Sequence, residues 1–241
     1  MTVSEHALRP LGRPAGFQRW RHLLFLHWAV EPELVQRVLP PELEVEVFGG
    51  KAWLGVVPFT MRDVAPRWSP SVPGISHFHE LNVRSYVRRG NESGVWFFSL
   101  DAASTVAVLA ARAGWHLPYH RASMTLTLEG ERAQYQSRRR WPKPLPAELA
   151  CDYRIGADRG HATRGTLEYF LLERYVLFAP DGSGRMRIGR VHHVPYPVHD
   201  AHVARLEHSM TAAAGLPPCE GAPLAHYSPG VDVDIYALAA L

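Results

Sequence analysis

Polar and apolar residues alternate through His77–Val87, then give way to the apolar-rich run Gly94–Asp101, and short segments of this kind recur along the chain. A period of two marks a strand with one covered face. The run Leu23–Val30, interrupted only by His27, predicts a buried strand. Glu31–Leu39 predicts a short helix. Pro32 suits its first turn, Glu31 and Glu33 favour the positive N-terminal end, and Pro40-Pro41 stops it. Leu43–Phe48 alternates strictly and predicts a hairpin with Ala52–Val57 through Gly49-Gly50.

Residues 64–76, rich in Pro and Ser, predict a loop long enough to act as a flap. A helix is expected over 102–113 with Gly114 as its stop. Strands are expected over 119–128 and 133–140, joined at Glu129-Gly130-Glu131, and a helix over Thr166–Arg174. A hairpin joins Tyr175–Phe178 to Arg185–Val191. Residues 198–213 carry no clear pattern, and a last strand is expected at Val231–Tyr236. Residues 1–18, polar and rich in Pro and Gly, predict a flexible leader ahead of a single domain over 19–241. Many strands, tight turns and few short helices, with no βαβ rhythm, predict an α+β fold. Its twisted, mainly antiparallel sheet would be closed or nearly closed into a barrel.

Composition narrows the function. Of 241 residues 46% are hydrophobic and 20% charged, so the chain can bury a sizeable core. The net charge is +3, and among 26 basic residues only Lys51 and Lys143 are lysines. The longest basic run, Arg138–Arg140, is cut off by Trp141-Pro142 and reads as a solvated strand end rather than a nucleic-acid stripe. Cys151 and Cys219 are far apart and belong to no Cys-x-x-Cys, which fits a reducing cytoplasm. No apolar run approaches a membrane span. A soluble, cytoplasmic protein is expected, with no nucleic-acid or membrane partner, no cofactor, and the option of a homo-oligomer.

The candidate chemistry lies between His77 and His120. On the first strand Phe78, Glu80, Asn82, Arg84 and Tyr86 share one face. On the second, Val95, Phe97, Ser99 and Asp101 share one. A two- or four-residue loop centred on Asn91 and Glu92 would set Arg84 opposite Ser99 and Asn82 opposite Asp101. That gathers two acids, an amide, a guanidinium and a hydroxyl on one face. A wet sheet face explains the same pattern, and Asp101 also stands where an N-cap for the next helix belongs. Aromatic Trp96–Phe98 argue that both faces are covered, in which case the charges must be paired or bound to a ligand. His77-x-His79 offers two imidazoles on one strand face, an arrangement that suits zinc or iron. Glu173-Arg174-Tyr175 reads as an internal ion pair at a helix end. No nucleophile elbow is present, while Tyr119-His120 pairs a phenol with an imidazole.

Several motifs together carry a resemblance. Phe25-Leu-His-Trp28, Pro40-Pro-Glu-Leu43, Val57-Pro-Phe59, Glu80–Val87, Gly94–Asp101, Leu117-Pro-Tyr-His120 and Phe170–Tyr175 resemble the YqjF-like family, a domain of unknown function, from about residue 20 onward. More distantly, the stretch 31–43 and the spacing of Arg112 and Pro118 resemble acetoacetate decarboxylase. That likeness implies a twisted antiparallel barrel with a cavity. It also implies that the decarboxylase's Schiff-base lysine and its activating neighbour correspond to Tyr119 and His120, which cannot form an imine.

The residues and the resemblance together lead to one expectation, a barrel cavity for a small anionic or carbonyl-bearing molecule. Arg84 would be the anion partner, Glu80 the base or charge balance, and His120 the titrating group. Asn82, Ser99, Asp101 and Tyr119 would contact the ligand. A non-catalytic binding or sensing module, and a metal-dependent enzyme using His77 and His79, are the alternatives.

Overall fold

A computed structural model describes residues 9–72, 76–143 and 146–240. The elements run β1 (Gly16–Val30), α1 (Pro32–Gln36), β2 (Glu44–Val45), β3 (Ala52–Pro66), β4 (Phe78–Arg89), β5 (Glu92–Ala102), α2 (Thr105–Trp115) and β6 (Tyr119–Glu129). They continue as β7 (Arg132–Trp141), β8 (Glu148–Gly160), α3 (Leu167–Leu172), β9 (Val176–Pro180), β10 (Met186–His192), β11 (Val198–His208), α4 (Met210–Ala213), β12 (Leu224–Ile235) and β13 (Ala239–Ala240).

All thirteen strands form one mixed sheet, and the sheet closes on itself twice. The larger ring runs β5–β6–β7–β8–β11–β12–β1–β3–β4 and returns to β5 through the β4–β5 ladder. The smaller ring runs β5–β4–β3–β1–β12–β10–β9 and returns to β5. Its β9–β5 and β10–β12 ladders are each only two residue pairs long, so this ring is loosely closed rather than a regular barrel. The wall β12–β1–β3–β4–β5 is common to both. Its alternating side chains therefore serve two interiors: Leu24, Leu26, Leu81 and Val83 pack with Tyr135 and Leu149 on one side. Leu23, Phe25, Val57, Phe59 and Tyr86 pack with Leu100 and Leu171 on the other. Burying both faces explains why these strands read as near-continuous apolar runs.

Several local expectations change. Parallel pairing joins β5 to β6 and to β9, so the sheet is mixed. The first of these needs a crossover, and α2 supplies it, a βαβ unit that the sequence pattern concealed. α2 starts one turn later than expected: Ser104, not Asp101, accepts the Ala107 N–H as N-cap, and His116 closes the helix in the left-handed conformation. The Gly49-Gly50 turn carries a single bridge, Phe48–Lys51, while β2 pairs with β4. β1 begins at Gly16, inside the expected leader, and β3 runs on to Pro66, inside the expected flap; residues 1–8 and 73–75 lie outside the described residues. β8 and β11 fill stretches with no predicted element, and β12 starts at Leu224. Among the described residues no helix is long and apolar enough to cross a membrane.

Candidate functional site

The β4–β5 hairpin decides which polar residues meet. Its loop is Gly90-Asn91, and from Arg89–Glu92 to Arg84–Phe97 the pairing is regular. Phe98 then bulges, so that Val83 faces Ser99, Asn82 faces Leu100 and Leu81 faces Asp101. The expected pairs Arg84–Ser99 and Asn82–Asp101 do not form. One extra residue reverses which face each later side chain occupies. Val95, Phe97 and Leu100 consequently turn toward the smaller ring with Glu80, Asn82 and Arg84. Ser99 and Asp101 share the Leu81 face, toward the larger ring. The loss of alternation at Trp96-Phe97-Phe98 is the one sequence signal of this bulge.

Within the smaller ring is a cavity of about 510 Å³. Glu80, Asn82 and Arg84 form a polar stripe along β4, and Tyr119 enters from β6. The rest of the wall is mainly apolar, from Val57, Phe59 and Phe78 to Leu172 and Val191, with Ala107, Ala110, Ala111 and Trp115 of α2 over one side. Tyr119 donates a 2.9 Å hydrogen bond to Glu80 Oε2. Burial pushes the Glu80 carboxyl up to about 8, and the nearby Asp101 charge adds to that, against the opposing Tyr119 bond. Glu80 is therefore predominantly a neutral acid at pH 7. Arg112 holds Tyr119 in place by donating to its backbone carbonyl at 2.8 Å.

Arg84 is buried at the opposite end of the stripe. Its Nη2 donates to the Leu171 carbonyl at 3.1 Å and reaches the Tyr86 hydroxyl at 3.4 Å, while Nε has no partner among the described residues. The guanidinium lies over the Phe25 and Tyr86 rings. Tyr86 donates to the same carbonyl at 2.8 Å, so its contact with His27 at 2.6 Å requires His27 Nε2 to carry the proton. Burial and the Arg84 charge lower the His27 pKa, which keeps that ring neutral. Gly55 makes room for both: a Cβ there would stand 3.2 Å from Arg84 Cγ and 3.3 Å from His27 Nε2. Among the described residues no carboxylate pairs with Arg84. Its buried neighbour Arg174 is paired, with Glu46 at 2.6 Å, which leaves Arg84 without a contacting carboxylate. Asn82 Oδ1 is also buried without a partner among the described residues.

Behind this wall, in the larger ring, Asp101 receives a bidentate pair of bonds from Arg139 at 2.7 and 2.8 Å, both side chains fully buried. His120 pairs with Asp101 across the parallel ladder and faces the same way; burial, with the Arg139 and Arg112 charges, lowers its pKa to about 4. Ser99 and Asp101 thus lie on the face opposite Glu80, Asn82 and Arg84, which contradicts the single shared face read from the alternation; His120 lies with the former and Tyr119 with the latter. Arg139 belongs to the triplet read as a solvated strand end. Its place on the buried Tyr135-x-Ser137-x-Arg139 side of β7 was the available clue. Glu173, Arg174 and Tyr175 do not pair as a unit: Tyr175 donates to Glu173 and Arg174 reaches Glu46.

The histidine pair is divided as well. His77 approaches Asp63, and His79 contacts the Thr60 hydroxyl at 3.0 Å. Among the described residues no three His, Cys, Asp or Glu side chains are grouped to hold a metal ion. Both lysines are exposed, Lys51 paired with Glu31, and none lines the cavity.

Comparison with known proteins follows the same division between fold and chemistry. Residues 17–232 match DUF2071, a family described as uncharacterised conserved protein, and the chain belongs to that family. It is 34% identical over 221 residues to the uncharacterised protein YqjF of Bacillus subtilis (strain 168), covering 92% of this chain and 90% of that one. The enduracididine biosynthesis enzyme MppR in complex with pyruvate superimposes with a TM-score of 0.63 at 11% identity, covering 95% of this chain and 91% of that one. Acetoacetate decarboxylase from Legionella pneumophila gives 0.61 at 15% identity, covering 98% and 93%. At such identities the likeness is one of fold, and the fold is acetoacetate decarboxylase-like.

Proposed function

For this member of the DUF2071 family, we propose that the smaller ring binds a carbonyl-bearing carboxylate, with Arg84 as its counter-ion. One observation carries this reading: a buried guanidinium faces a cavity with an unpartnered Nε and no carboxylate paired to it among the described residues. A buried, uncompensated charge is costly, and a bound anion relieves it. Asn82 contributes a second polar contact, and Glu80, protonated and held by Tyr119, stands as a proton donor further along the stripe. MppR, of like fold, was obtained with pyruvate, which agrees with this ligand class. No lysine lines the cavity among the described residues, which argues against an imine route and favours acid–base and electrostatic chemistry along this wall.

The test is calorimetric titration with small 2-oxo and 3-oxo carboxylates and with matched neutral ketones. Carboxylates bind, ketones do not, and Arg84→Gln abolishes the difference. Equal binding of acid and ketone to the wild-type protein overturns the reading.

A further inference from the structure

The cavity is much larger than the ligands its polar groups alone would need. At about 30 Å³ per water-sized group, 510 Å³ holds on the order of 17 such groups. A three-carbon oxo acid fills roughly a third of that. The polar groups are also spread out: Glu80 and Arg84 lie four residues apart on one strand, ~13 Å between Cα atoms at about 3.3 Å per residue.

The ends of the chamber differ. At one end Arg84, Leu172 and Tyr196 are buried and form a floor. At the other, Ala15, Phe17 and Pro66 are exposed and mark a mouth. In the β3–β4 register Gly55 stands beside Arg84 and Met61 beside Phe78, six residues further along, so the chamber is ~20 Å long. Between the two ends, Phe59, Met61, Phe78 and Leu100 offer aliphatic and aromatic surface. The alanines of α2 keep the lumen wide.

Resting on the carboxylate reading above, we infer that the ligand is a carboxylate with an extended apolar tail. The head sits on Arg84 at the floor, and the tail runs past Glu80 toward the mouth. The apolar wall then supplies most of the affinity and Arg84 the orientation, the division of labour expected of a largely apolar pocket with few polar anchors.

Titration with a homologous series of straight-chain 2-oxo acids from three to ten carbons tests this, with the corresponding primary alcohols as neutral controls. Affinity rises about three- to fourfold per methylene until the chamber is filled. Ala111→Phe, which narrows the lumen from partly exposed α2, flattens that rise and leaves the shortest acids unchanged. If short and long acids bind alike and both depend on Arg84, the tail inference fails and the carboxylate reading stands. If acids and alcohols of one length bind alike, or no acid binds, the carboxylate reading fails and this inference falls with it.

Discussion

Glu80 and Asp101 stand back to back across one sheet. Glu80 pairs with Ala102 in the β4–β5 ladder, so Asp101, one residue away, points into the opposite ring. Each carboxyl is almost wholly buried, 2% exposed for Glu80 and 0% for Asp101, yet their situations differ. Asp101 has a bidentate guanidinium; Glu80 has one phenol and a cavity. Burial raises the pKa of both carboxyls, and at Asp101 the Arg139 pair opposes that rise with both a hydrogen bond and a charge. Two acids of similar burial therefore stand in different settings, one paired inside the larger ring and the other facing the cavity of the smaller ring.

The Glu80 proton links stability to pH. Its carboxyl titrates near 4.5 when unfolded and near 8 in the fold. Between those values the native state holds a proton that the unfolded chain has lost, so stability falls as pH rises from about 4.5 to about 8. The span corresponds to a few kcal/mol, on the order of 1.4 per unit. Glu80→Gln, neutral and close in shape, shows a smaller drop in Tm between pH 5 and pH 9 than wild type. Identical drops in the two proteins would place the titrating proton elsewhere.

Asp101 and Arg139 answer differently. Removing one partner strands the other charge in the core, and Asp101→Asn or Arg139→Met is expected to destabilise by about 3–5 kcal/mol in denaturant unfolding. The double variant loses less than the sum, because neither charge is left alone. Additive losses would show that the pair is not coupled.

Gly55→Ala probes the floor without removing a polar group. Its added Cβ meets Arg84 Cγ and a His27 ring nitrogen at distances tighter than ordinary contact. The guanidinium must shift, and carboxylate binding weakens by about tenfold or ~1.4 kcal/mol, with a stability loss of about 1–3 kcal/mol. Unchanged carboxylate affinity in a folded G55A protein would remove Gly55 from the site.

Imine chemistry has a direct check. Incubation with pyruvate or acetoacetate and borohydride, read by intact mass, leaves the protein unmodified, since the exposed Lys51 and Lys143 are remote from the cavity wall. A reduced adduct on either lysine would overturn the proposal that Glu80 supplies the cavity's proton chemistry.

Much of the site was written locally. The period-two pattern from Phe78 to Tyr86 placed Glu80, Asn82 and Arg84 on one face, because an extended chain leaves no other choice. The hairpins at Glu129–Glu131 and at Asp181–Gly184 were legible for the same reason: turn residues act over two or three positions. β8 was not legible. Leu149, Cys151 and Tyr153 alternate there, but the mixed polarity of Asp152, Arg154 and Asp158 hides the pattern until β7 and β11 supply its neighbours.

Local pattern was enough for most of the strands, for the shared face of Glu80, Asn82 and Arg84, and for the absence of a lysine at Tyr119 and His120. Those properties depend on residues within one or two turns of each other. Closure of the sheet into two rings with a common wall, and the bulge at Phe98, come from contacts between strands distant in the chain. A bulge is a compromise between packing on both faces, and the energies that select it come from strands far away in sequence. That single inserted residue assigns Asp101 and His120 to one interior and Glu80 and Arg84 to the other.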